Sequence, residues 1–115
     1  MKKTDINKIV AELENNISTR KKANPDKSYV AKLFKGGEEK IGRKISEEAV
    51  EVLIAAMNEP KKRIVSESAD LIFHLMVMLS LKKIKLDEVF TELENRLGIS
   101  GLDEKASRIA KKKGK

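Results

Sequence analysis

Apolar residues recur at helical spacing along nearly the whole 115-residue chain, and no segment shows the period-two alternation of a half-buried strand. The first series, Ile6, Ile9, Val10, Leu13 and Ile17, follows Thr4 and Asp5 and predicts an amphipathic helix over 5–21 with Thr4 as its N-cap. Ala23-Asn24-Pro25-Asp26 ends it with Pro and Asx turn chemistry. Ser28 then caps a short helical turn carrying Tyr29, Ala31, Leu33 and Phe34, which Gly36-Gly37 breaks. Two long apolar patterns follow, over 41–56 and 60–82, separated by the turn signal Asn58-Glu59-Pro60. After a basic turn at 82–85, Asp87-Glu88 opens a shorter helix through Val89, Phe90, Leu93 and Leu97, closed by Gly98. Residues 100–105 read as a capped last turn, and the basic run 111–115 is expected to be disordered. The pattern predicts an all-α fold, a helical bundle built on a central antiparallel hairpin. It forms a single domain over 1–110, with no internal repeat.

The hairpin carries the candidate chemistry. Glu48 and Glu51 on its first helix, and Glu67 and Asp70 on its second, are each spaced i, i+3, which places each pair on one helix face roughly 5–6 Å apart at Cβ. Folding the chain back about Glu59 sets Glu51 opposite Glu67 and Glu48 opposite Asp70, so four carboxylates converge. Clustered carboxylates repel and raise one another's pKa, a conflict that a divalent cation removes. Oxygen-only ligands suit Mg²⁺ or Mn²⁺. On the second helix only Arg63, Glu67, Asp70 and His74 interrupt an otherwise apolar circumference. Helices apolar nearly all round are buried ones, which predicts that this polar wedge is a pocket inside a helical core. A lone histidine in such a helix is more often a satisfied core residue than a ligand, and His74 is expected to be one.

Composition narrows the classes. Zero cysteines exclude a disulfide framework, a thiolate metal site and a cysteine nucleophile. The longest apolar stretch is broken by Glu67, Asp70 and His74, and the N-terminus lacks the apolar core of a signal peptide, which predicts a soluble, cytoplasmic protein without membrane partners. The formal charge of +7 suits a polyphosphate substrate as well as it suits nucleic acid. Against nucleic acid stand an aromatic content of 3% and the lack of any helix-turn-helix or ribonucleoprotein motif. Apolar residues that the hairpin cannot cover, Val50 and Ile54 on one helix and Phe73 and Val77 on the other, predict an obligate homodimer.

Three segments carry a resemblance: 24–33 (NPDKSYVAKL), 44–51 (KISEEAVE) and 67–75 (ESADLIFHL). Together with Ser100-Gly101-Leu102 and the EKASR that follows, they resemble the phosphoribosyl-ATP pyrophosphohydrolases of the all-α, MazG-like nucleoside triphosphate pyrophosphohydrolase superfamily. The superfamily pattern EExxE followed by ExxD falls on Glu47, Glu48, Glu51, Glu67 and Asp70, with Ser46 standing where glycine is expected. The resemblance implies hydrolysis of the α–β phosphoanhydride of phosphoribosyl-ATP to phosphoribosyl-AMP and pyrophosphate, the second step of histidine biosynthesis. It also implies a dimer or a dimer of dimers, and a phosphoribosyl-AMP cyclohydrolase acting next; with no cysteine and no extra length in this chain, that cyclohydrolase is expected to be a separate protein. On that reading Glu48, Glu51, Glu67 and Asp70 hold Mg²⁺, and Lys32, Lys35 and Lys44 meet phosphate oxygens. Glu47, one residue off the wedge, either accepts a proton or is simply solvated.

Two rival readings differ in what they would show. A housecleaning pyrophosphohydrolase of the same superfamily would prefer dUTP, dCTP or damaged nucleotides, with discrimination lodged in 28–35. A basic helical module that binds nucleic acid or a partner helix would show salt-sensitive duplex binding and no hydrolysis.

Overall fold

The computed structural model describes residues 3–58, 60–97 and 108, and every regular element among them is helical. Four helices are delimited: α1 (Ile6–Arg20), α2 (Tyr29–Asn58), α3 (Lys61–Leu81) and α4 (Leu86–Asn95). The all-α expectation and the central hairpin both hold. The readings of Glu59, Gly98, 100–107 and the basic tail 111–115 lie outside the described residues.

Local chemistry sets the ends. Asp5, rather than Thr4, caps α1, because its Oδ1 accepts the Lys8 N–H at 3.2 Å. Ser28 caps α2, its Oγ accepting the Ala31 N–H at 3.1 Å. The expected break falls at Gly37, whose φ of 74° and ψ of −167° interrupt α2 and divide it into two limbs. That backbone region is essentially closed to residues with a Cβ. Pro60 precedes α3 in extended conformation, its ring fixing φ at −68° and its carbonyl accepting the Arg63 N–H at 2.9 Å. At the other end of α3, Ile84 N–H returns to Leu79 O at 2.8 Å and Lys83 N–H to Ser80 O at 3.1 Å. This is a Schellman closure with Lys83, at φ 61°, in the left-handed position where glycine is usual. The first turn of α4 is closed by two carboxylates: Glu88 accepts the Lys85 N–H, and Glu14 of α1 accepts the Leu86 N–H, both at 2.9 Å.

The core lies where α1 and the first limb of α2 cover the C-terminal half of α3. Ile17, Leu33, Ile41 and Val77 are almost completely inaccessible, with Val30, Met76 and Leu86 beside them. Burying each of the larger side chains contributes about 1.5–3 kcal/mol. Lys21 ties the same region together, its Nζ donating to Ser80 O at 3.1 Å and lying 5.1 Å from the centroid of the Phe34 ring.

Two expectations change here. Val77 is interior rather than surplus surface, and Phe73 is half-buried, because the first limb of α2 folds over the part of α3 that carries them. On α2, Leu53 is 61% exposed and joins Val50, Ile54 and Met57 in an open stripe. Val65, Ile72 and Leu75 of α3 are open as well. Helix α3 is long and apolar enough to span a membrane. It nevertheless carries Glu67 and Asp70 along its length, groups that are costly in lipid, and pairs them with Glu48 of α2.

Candidate active site

The antiparallel α2–α3 pair brings Glu48, Glu67 and Asp70 together, with one carboxylate oxygen of each within 4.8 Å of the others. Each side chain arrives for a simple reason. Glu67 and Asp70 lie one turn apart on the polar wedge of α3, and the turn at Pro60 returns α3 along α2 so that the wedge faces Glu48. Glu67 is buried, Glu48 is half-buried and Asp70 is exposed. The wedge is therefore a partly open cleft and not the enclosed pocket expected from periodicity: Asp70 is exposed, as are apolar residues on both flanking helices, among the described residues. Glu51, one turn beyond Glu48, is exposed and stands outside the group of three oxygens.

Cations engage the cluster from both helices. Arg63 donates from Nη2 to Glu67 Oε1 at 2.8 Å, and Lys44 Nζ lies 3.4 Å from Glu48 and 3.3 Å from Glu47. The Lys44 ammonium is held above the ordinary lysine value, chiefly by its hydrogen bond to Glu47, with partial desolvation opposing. Lys32 and Lys35 are exposed on the first limb of α2. Arg63 went unassigned in the sequence reading although it stood in the polar wedge. The signal was its spacing, four residues before Glu67 on one helix face.

Beside the carboxylates sit three rings. The Tyr29 hydroxyl is 2.6 Å from His74 Nε2, and His74 Nδ1 is 2.7 Å from Asp70 O. A carbonyl oxygen only accepts, so Nδ1 carries the proton and Nε2 accepts from the phenol. His74 is buried with both nitrogens satisfied, as a core histidine should be. Tyr29 also stacks on Phe73, at 6.3 Å between centroids and 23° between planes. Burial raises the Tyr29 phenol above the ordinary value, with the charge of Lys44 opposing and those of Glu48, Asp70 and Glu47 adding. No spacing signal could have paired Tyr29 with His74, which is 45 residues away.

The donor set fits a hard divalent cation: three carboxylates from two rigid helices, no nitrogen or sulfur ligand in the group, and one carboxylate open to solvent. A helical hairpin carrying such a cluster in an all-helical chain is the fold of the MazG-like all-α class. The sequence model described as phosphoribosyl-ATP pyrophosphohydrolase matches residues 10–97. A protein named phosphoribosyl-ATP pyrophosphatase from Dinoroseobacter shibae is 49% identical over 100 residues, covering 87% of this chain and 98% of its own length. One of the same name from Novosphingobium aromaticivorans is 51% identical over 100 residues, with 87% and 94% covered. A third, from Vesicomyosocius okutanii, is 45% identical over 103 residues, with 90% and 98% covered. The chain belongs to the phosphoribosyl-ATP pyrophosphohydrolase family and is an enzyme, a hydrolase.

Proposed function

We propose that this chain hydrolyses phosphoribosyl-ATP at the α–β phosphoanhydride with the help of a divalent cation, as the second step of histidine biosynthesis. The observation that carries the reading is the convergence of Glu48, Glu67 and Asp70 within 4.8 Å in a chain whose family match spans 10–97.

Glu48, Glu67 and Asp70 would hold Mg²⁺ or Mn²⁺, with Glu51, one turn further along α2, as the fourth carboxylate that would join them. When bound, the cation supplies charge neutralisation for the phosphates and acidifies water. The remaining work falls to the chain. Lys44, and Lys32 and Lys35 on the limb before Gly37, attract the anionic oxygens and orient the triphosphate along the hairpin. Water adds to a phosphorus of the α–β bridge, the bridging P–O bond breaks, and pyrophosphate leaves. Glu47, paired with Lys44 at 3.3 Å, would accept the proton that the water gives up. The product phosphoribosyl-AMP is then a substrate for a cyclohydrolase.

The open stripe of Val50, Leu53, Ile54 and Met57, with Val65, Ile72 and Leu75 across the hairpin, supports a homodimer or a dimer of dimers in which hairpin packs on hairpin. Such packing would also close the cleft that one chain leaves open.

The deciding experiment compares turnover of phosphoribosyl-ATP with a panel of nucleoside triphosphates at saturating Mg²⁺. Phosphoribosyl-ATP is expected to give the highest kcat/KM, with pyrophosphate as product and loss of activity on chelation. Faster cleavage of dUTP or dCTP would overturn the assignment.

A further inference from the structure

Two of the three clustered carboxylates already have a cation of the chain's own, at the same offset. Lys44 stands four residues before Glu48 on α2, and Arg63 four residues before Glu67 on α3. Because the helices run antiparallel, equal offsets point in opposite directions along the hairpin. The carboxylates lie between the two cations, Lys44 toward the Gly37 break and Arg63 toward Pro60. Both cations reach solvent: the side chain is 31% exposed at Lys44 and 51% at Arg63, whereas the carboxylates they meet are 13% and 9% exposed. The anions are fixed by packing and the cations are long, solvent-reaching arms.

We infer that Lys44 and Arg63 are resident counter-ions that leave Glu48 and Glu67 when a divalent cation enters, then turn to the anionic oxygens of the polyphosphate. This assigns Arg63 as a phosphate-binding residue and makes the binding of cation and polyphosphate mutually dependent. The inference rests on the cation site proposed above.

The physical argument is one of competition. Three carboxylates at this separation repel one another, and in the free chain the positive charges of Lys44 and Arg63 beside Glu48 and Glu67 offset that repulsion. A divalent cation on the same oxygens makes that charge redundant and repels it. The displaced guanidinium, and the ammonium that keeps only the exposed Glu47, can each take a further anion, and a polyphosphate laid along the hairpin offers them at both ends of the cluster. The planar fork of Arg63 suits two phosphate oxygens at once. A residue that only stabilised the fold would strengthen or weaken both ligands together. A resident counter-ion must oppose one ligand and assist the other.

The test is calorimetric titration of the full-length protein, first with Mn²⁺ alone and then with pyrophosphate at saturating Mn²⁺. Wild type is compared with Arg63→Met, Lys44→Met and, as a charge-matched control, Lys82→Met, whose lysine pairs with Glu38. Circular dichroism reports folding. Arg63→Met and Lys44→Met are expected to bind Mn²⁺ about three- to fivefold more tightly than wild type, the range of a partly exposed ion pair. They should bind pyrophosphate about tenfold or more weakly, as charge-assisted hydrogen bonds are lost. The control should change neither affinity by more than about twofold. Folded Arg63→Met and Lys44→Met proteins with unchanged or weaker Mn²⁺ binding would overturn the exchange and leave the cation site standing. Wild type that bound no Mn²⁺ at millimolar concentration would overturn both readings at once.

Discussion

The Tyr29 hydroxyl donates to His74 Nε2 over 2.6 Å and joins the start of α2 to the middle of α3, next to the carboxylate cluster. His74 is oriented by the carbonyl of Asp70, one turn earlier on its own helix. Gly37 lies between Tyr29 and the hairpin proper, so this bond also sets how the first limb of α2 returns over α3. The single tyrosine of the chain is thus a strut between the limb that carries Lys32 and Lys35 and the helix that carries Glu67 and Asp70.

Tyr29 should titrate above the ordinary tyrosine value of about 10. Its folded value is raised chiefly by burial, so the native state keeps the proton longer than the unfolded chain does. The stability linked to it is fully present below pH of about 10 and is lost as the pH rises through the folded value. One tyrosine and no tryptophan make the measurement clean, since phenolate absorbance reports this residue alone. The midpoint is expected to fall to about 10 in denaturant. A native midpoint at or below the unfolded one would contradict the partial desolvation of the phenol beside His74. Replacing it by phenylalanine should cost about 1–2 kcal/mol, because a buried imidazole nitrogen loses its donor.

Glu48→Gln and Asp70→Asn should fold with wild-type helicity, since removing charge from a repulsive cluster need not weaken the fold. Activity should drop by about two or more orders of magnitude, as for the loss of a group that positions reacting charge. Near wild-type turnover of either variant at saturating Mg²⁺ would sink the carboxylate site.

Two positive-φ positions should respond with opposite signs. At Gly37 a Cβ meets no neighbour, yet the backbone sits where side chains are not tolerated, so Gly37→Ala should cost about 1–3 kcal/mol. At Lys83 the conformation is the one glycine prefers, and Lys83→Gly should be neutral or gain up to about 1 kcal/mol. Denaturant midpoints measure both. A destabilised Lys83→Gly would mean that the lysine side chain contributes more than its backbone costs.

Light scattering at micromolar concentration should give a dimer or a multiple of it. Val50→Asp and Leu53→Asp, at positions 53% and 61% exposed in the single chain, should yield insoluble or unfolded protein, because association and folding are coupled. A well-folded, active wild-type monomer would refute this.

The chain's own pattern determined the helices, the hairpin turn before Pro60, the break at Gly37 and the pairing of α2 with α3, because each follows from periodicity or a local backbone constraint. Its helical spacing also put Glu48 opposite Asp70, as found, whereas Glu51, expected opposite Glu67, stands outside the group of three oxygens. What only the tertiary structure decided are relationships between elements far apart in sequence. Glu14 closes the first turn of α4, Lys21 reaches Ser80, and Tyr29 finds His74. The division of the hairpin's apolar surface was of the same kind. Periodicity tells that Leu53 and Val77 are both apolar faces of helices, but which one is covered depends on where α1 and the first limb of α2 lie. They cover Val77 and leave Leu53 open. A helix pattern specifies which side chains share a face, and only packing specifies what that face meets.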